Sequence, residues 1–275
     1  MQTGKLSNWS KWFLSLGFFF LYAPIIILVI FSFNKSELVT VWAGFSFKWY
    51  GELFRDPQML GAAWISLKIA VLAASAAVVL GTMASMVMVR MGAFKGKTAF
   101  TSMITAPLVM PEVITGLSLL LLFVAMGQTL GWPGQRGMLT IWIAHVTFCT
   151  AFVAVVISSR LQELDESIEE AAQDLSAPPW KVFFLVTLPI IAPALVSGWL
   201  LAFTLSLDDL VIASFVSGPG ATTLPMQVFS SARLGISPQI NALATIIIGL
   251  ASLAVLIAWW FARREGMRSV TISEN

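Results

Sequence analysis

The chain has 275 residues, of which 58% are hydrophobic and 11% charged, with a formal net charge of +2. Ordinary soluble domains carry roughly 25% charged residues, so the composition excludes a soluble globular protein and places the chain in a membrane. The small charge, scattered rather than striped, speaks against a nucleic-acid partner. The lone Cys149 excludes an intrachain disulfide, and the lone His145 excludes a multi-histidine metal site.

The first apolar run, about Phe13–Phe33, follows Lys5 and Lys11 and is too long for the core of a signal peptide, so it reads as a retained transmembrane helix. Residues 34–60 interleave Trp42, Phe45, Phe47, Trp49 and Tyr50 with Lys48, Glu52 and Arg55, the mixture of an interfacial segment. A second crossing is expected over Gly61–Val89, with Lys68 near enough to its start to snorkel outward. After the basic loop of Arg90, Lys95 and Lys97, the run Ala99–Met126 is interrupted by Pro107 and Pro111. Its first part is expected at the inner interface. The crossing restarts at Pro111, where the helix dipole favours Glu112. A turn-rich loop, GQTLGWPGQRG, leads to a fourth helix over Met138–Ser158. A fifth is expected over Ile191–Val216, a short amphipathic piece over Leu224–Leu234, a sixth over Ile240–Phe261, and a polar tail at the end.

Between the fourth and fifth helices lies the segment 160–189, which holds six of the fourteen acidic residues. At helical spacing, Leu161, Leu164, Ile168, Ala171, Ala172 and Leu175 share a face. Pro178 and Pro179 are expected to stop that helix, and a second short helix with Trp180, Phe183 and Phe184 to end at Pro189. Helix, break and short helix make a docking element, against the plainer reading of a solvated loop. With six crossings, both termini and this segment lie on one side. That side carries Lys5, Lys11, Arg90, Lys95, Lys97, Arg160, Lys181, Arg263, Arg264 and Arg268, against Lys35, Lys48, Arg55, Arg136 and Arg233 on the other. The richer side is expected to be cytoplasmic.

No Walker lysine motif, HExxH or Cys-x-x-Cys occurs in the sequence, so no enzyme activity is expected of this chain. Ser118 and His145 superficially suggest an intramembrane serine protease, a pairing that coincidence explains better. The informative groups are Asp208 and Asp209 in LAFTLSLDDLVIASF, with Glu112 as a third intramembrane acid. Carboxylates in an apolar helix are costly unless they face a polar cavity, a partner or water. Adjacent helical positions diverge by about 100°, so one aspartate is expected toward a translocation path and the other toward a neighbouring helix or subunit. The alternative is a buried structural pair satisfied by Ser206 and Thr204. Three acids favour a cationic solute.

Glu170, Ala171, Ala172, Val186, Leu188 and Pro189 stand at the spacing of the EAA loop, and the segment resembles that cytoplasmic element of ABC-importer permeases. Ser176 departs from it. The family's glycine suits a left-handed turn after a helix end, and serine there costs about 1 kcal/mol if the turn is kept. Further stretches, FLYAPIIILVIFSFNKSELVTVWAGF, TAPLVMPEVITGLSLLLLF and AFTLSLDDLVIASFVSGPGATTLPMQVF, resemble the permease subunits of bacterial polyamine ABC importers, those for putrescine above all.

The resemblance implies an all-α, six-helix type I importer (MetI-like) permease of the bacterial inner membrane. It divides the chain into residues 1–60, a permease core over 61–262 and a tail over 263–275. It also implies a second, similar permease, two ATPase subunits that bind the ATP and Mg, and a periplasmic polyamine-binding protein, with no cofactor in this chain. Glu170, Ala171, Ala172, Asp174, Ser176, Leu188 and Pro189 would contact the ATPase. Asp208, Asp209, Glu112, Ser206 and the Trp49 ring face would line the path. A proton-coupled secondary transporter and a purely structural membrane subunit are the other classes the intramembrane acids allow.

Overall fold

The structure, a computed structural model, describes residues 8–38, 41–234, 238–253 and 256, and helices make up most of them. They are α1 (Asn8–Phe31), α2 (Lys48–Leu53), α3 (Pro57–Val89), α4 (Lys97–Val109), α5 (Glu112–Leu130) and α6 (Met138–Glu163). Then follow α7 (Glu166–Asp174), α8 (Pro179–Val182), a π turn (Phe183–Thr187), α9 (Leu188–Asp208), α10 (Val211–Val216) and α11 (Leu224–Leu234). The last is α12 (Pro238–Leu253). Five segments are long and apolar enough to cross a bilayer: Trp9–Phe31, Pro57–Val89, Glu112–Leu130, Met138–Glu163 and Pro179–Asp208. The far end of the expected sixth crossing, and the tail 263–275, lie outside the described residues.

Contacts divide the chain into two units, Met1–Leu60 with Ser230–Asn275, and Gly61–Phe229. In the first, the expected interfacial segment is helical over α2 and again from Pro57, where α3 begins. Asn34 organises the rest, because its side chain donates to the Val41 carbonyl (2.7 Å) and accepts from the N–H groups of Ser36 (3.2 Å) and Ala43 (2.9 Å). Its own carbonyl accepts from the Trp49 indole at 2.7 Å. A buried asparagine satisfied on both sides holds a loop that has no regular backbone ladder of its own.

In the second unit, α6 is the central element, with Ile141, Ala144, Cys149, Val153, Ile157 and Leu161 all fully buried. Lipid chains are as apolar as leucine, so helices in a bilayer gain by close approach of small residues rather than by leaving water. The sequence supplies them. A Cβ on Gly81 of α3 would lie 2.7 Å from the Val153 side chain of α6, and the neighbouring Ser85 hydroxyl donates to the Ala154 carbonyl at 2.8 Å. Likewise a Cβ on Gly116 of α5 would meet Phe215 of α10 at 2.7 Å.

Two expectations for this unit need correction. Pro178 and Pro179 do not stop a helix. They begin one, as N-cap and first residue of α8, where a missing N–H costs nothing. The second short helix does not end at Pro189 either. It runs on as one span from Pro179 to Asp208. The π turn lies directly before that proline, and the Leu188 N–H reaches back five residues to the Phe183 carbonyl. A widened turn relieves the clash a proline ring makes with the carbonyl four residues earlier. The break expected at Pro111 is present, between α4 and α5, with Met110 extended and Glu112 in the first turn of α5.

Candidate functional site

The segment between α6 and α9 folds as a separate short helix. Leu164 is extended and ends α6, and Asp165 caps α7 by accepting from the Ser167 N–H at 3.0 Å. That bond and the Ser167 hydroxyl hold the exposed Asp165 carboxyl below the usual carboxylate range. The far end of α7 closes with the Ala177 N–H on the Ala172 carbonyl (3.2 Å) and the Ser176 N–H on the Gln173 carbonyl (2.8 Å). This paired closure is a Schellman end. It requires a left-handed residue, and Ser176 has φ 65°, the one positive-φ non-glycine among the described residues. Ser176→Gly is therefore expected to stabilise this turn by about 1 kcal/mol, seen as slower amide exchange over residues 170–177.

No side chain of α7 is buried. Ile168 and Leu175 are exposed, and so are Trp180, Phe184 and Leu185 beyond the turn. Glu170, Ala171, Asp174, Ser176 and Pro189 are exposed as well, with Ala172 and Leu188 half-buried. Most residues of the EAA pattern thus stay open, on α7 and at the start of α9. What ties α7 to the rest is a polar cluster that the sequence did not announce. Arg90, at the end of α3, pairs with Glu166 (3.0 Å) and Glu169 (2.9 Å), and Glu169 also accepts from the buried Thr187 hydroxyl at 2.6 Å.

The expected fifth helix breaks at the paired aspartates. α9 ends at Asp208, Asp209 is extended, and α10 begins at Val211. Asp209 is buried, at 9% exposure, and its carboxylate accepts from the N–H groups of Ile212 (3.2 Å) and Ala213 (2.7 Å). It thereby caps α10 from inside the protein. Its third partner is His145 of α6, with Nε2 at 3.1 Å, while His145 Nδ1 lies 2.7 Å from the Ser206 hydroxyl. One proton on Nε2 satisfies the whole set: the ring donates to Asp209 and accepts from Ser206. The pairing considered for Ser118 does not form, since His145 is committed to these two partners and Ser118 is exposed on α5. Thr204 does not meet either aspartate; its hydroxyl donates to the carbonyls of Leu200 and Leu201.

Asp208 is exposed, and among the described residues its carboxylate has no side-chain hydrogen bond or ion pair. Glu112 is exposed at the start of α5. It lies one turn before Gly116, where an added Cβ would meet Ile212 of α10, four residues beyond Asp208 across the α9–α10 break. The structure brings Ser206 and Asp209 together and leaves Asp208 and Glu112 free. Trp49 belongs to the other unit, at 5% exposure, with Lys48 Nζ 4.6 Å from its ring centroid. The ring face expected for a solute cation carries a cation of its own chain.

A set of apolar spans, a proline-broken inner helix and an open helix projecting between two spans define the membrane subunit of a transport system. The chain belongs to the family described as "Binding-protein-dependent transport system inner membrane component", whose pattern matches residues 77–265. It is 68% identical over 263 residues to the putrescine transport system permease protein PotI of Escherichia coli K12, covering 95% of this chain and 94% of that one. It is 41% identical to the spermidine/putrescine transport system permease protein PotC of Haemophilus influenzae, covering 93% and 99%. Its fold matches a chain of a bacterial ABC transporter that imports the acidic polysaccharide alginate, with a TM-score of 0.70 at 18% identity over 93% and 94% of the two chains.

Proposed function

We propose that this chain is the permease subunit of an ATP-driven importer of polyamines, putrescine first among them. The observation that carries the reading is the likeness to a putrescine permease along nearly the whole chain. Residues 61–262 act as the permease core, the first helix embraces the partner permease, and both termini are cytoplasmic. It works beside a second, similar permease, two ATPase subunits that hold the ATP and Mg, and a periplasmic binding protein that delivers the solute. The exposed α7 and the Trp180–Leu185 surface seat in the ATPase. When nucleotide draws the ATPases together, α7 moves and tilts the spans, so the path opens to alternate sides. Asp208 and Glu112, open and unpaired, meet the released dication in the membrane. Asp209 and Ser206 shape that place from behind, through His145.

The test is reconstitution of the purified chain with its co-purifying partners in proteoliposomes. Putrescine uptake is expected only with ATP inside the ATPase compartment. Glu170→Lys is expected to abolish it while membrane insertion persists. Uptake driven by a proton gradient without an ATPase would establish a secondary transporter instead.

A further inference from the structure

We infer that Arg90 is a positioning residue that makes α7 rigid with α3 and the base of α9, so that force arriving at α7 is delivered to the spans rather than lost. The inference rests on the importer reading above. A lever must be fixed to what it moves, and the ordinary fixing of a helix is a buried apolar face. α7 has none, since no side chain of it is buried. A cavity of about 330 Å³ lies beside it, lined by Met86, Phe183 and Val182 on one side and by Glu166, Glu169 and Gln173 on the other. Packing therefore does not hold α7 in place there.

The polar cluster does. The Arg90 guanidinium reaches Glu166 and Glu169 at once, at 3.0 and 2.9 Å, and also lies 3.3 Å from the Leu164 carbonyl exposed where α6 ends. Glu169 then passes the tie to Thr187 in the π turn, at 2.6 Å. Two side chains, Arg90 and Glu169, thus join four points: the end of α3, the α6–α7 break, α7 itself and the entry to α9. The Arg90 and Glu169 side chains are only 12% and 13% exposed, so the pair is poorly screened, unlike the open Arg160–Glu163 pair at 2.9 Å nearby. Only a planar fork with several donors spans these partners together; lysine keeps the charge and loses the span.

The test compares wild type with Arg90→Ala, Arg90→Lys, Glu169→Ala, the Arg90→Ala/Glu169→Ala pair and the milder Thr187→Val, each in the whole importer complex. The first reading is the ATP hydrolysed per putrescine imported. Arg90→Ala and Glu169→Ala are each expected to raise it roughly threefold to tenfold, the double variant no further than either alone, with Arg90→Lys and Thr187→Val in between. The second reading is the distance between spin labels at Met91 and Gln173. It is expected to be narrow and unmoved by nucleotide in wild type, and broadened in Arg90→Ala. Wild-type coupling in Arg90→Ala, independent effects in the double variant, or an unbroadened distance would overturn the inference. A wild-type complex that shows no ATP-driven uptake defeats the importer reading instead. The spin-label distances then decide the inference on their own.

Discussion

Asp209→Ala is expected to cost folded protein, whereas Asp209→Asn is expected to keep more of it. The carboxylate accepts from the Ile212 and Ala213 N–H groups and from His145, all inside the protein. Interhelical polar contacts in membranes average only ~0.6 kcal/mol, so the loss of the His145 contact is the smaller part. The two backbone N–H groups have no other acceptor at the break, and each left unsatisfied costs roughly 1–3 kcal/mol. The sum is about 3 kcal/mol or more, a large share of the margin that keeps a protein folded. Asparagine keeps one of the two oxygens, enough for the shorter Ala213 bond, but its amide NH2 cannot accept from the Ile212 N–H, so it loses only part of the cap. The checks are the melting midpoint in detergent and the yield of monodisperse protein, low for alanine and intermediate for asparagine. Equal melting of Asp209→Ala and wild type would show that the α9–α10 break does not depend on this cap.

The adjacent residue is expected to behave in the opposite way. Asp208→Asn removes an exposed charge that no side chain among the described residues pairs with, so the fold is expected to move by less than about 0.5 kcal/mol. If the carboxylate meets the passing dication, its charge-assisted contact is worth about 1.5–3 kcal/mol, and uptake kcat/KM falls roughly 10- to 100-fold. ATPase assembly and the melting midpoint stay as in wild type. Glu112→Gln is expected to add to the loss, because the solute carries two charges. Normal transport by Asp208→Asn would take Asp208 out of the path and leave Glu112 to be tested alone.

Local chemistry carried much of this into the sequence, and separation in the chain hid the rest. Pro111 fixes the α4–α5 break because proline has no N–H to continue a helix, and Ser176 stands where the resembled pattern has glycine, which is how the left-handed turn was foreseen. The break after Asp208 has neither proline nor glycine. Its cause is a buried cap whose third partner, His145, is 64 residues away, so it passed as part of one long helix. The signal that was available is an aspartate followed at once by LVIA, a capping residue ahead of an apolar turn. Arg90 read as one more positive charge of an inner loop, since Glu166, 76 residues on, gives no local hint of pairing. Trp49 read as a free aromatic face, because nothing in its neighbourhood shows that Asn34 would claim the indole N–H.

The burial of α6 limits where another polypeptide can attach. In its most apolar stretch 67% of residues are buried within this chain, against 17% for the Glu112–Leu130 and Pro179–Asp208 spans. A helix so enclosed has little flank left to share. The sister subunit proposed above is therefore expected on the barer spans, α1, α3, α5 or α9, rather than on α6. Photoreactive groups along α6 would capture this chain's own helices, while the same groups on α5 and α9 would capture a neighbour.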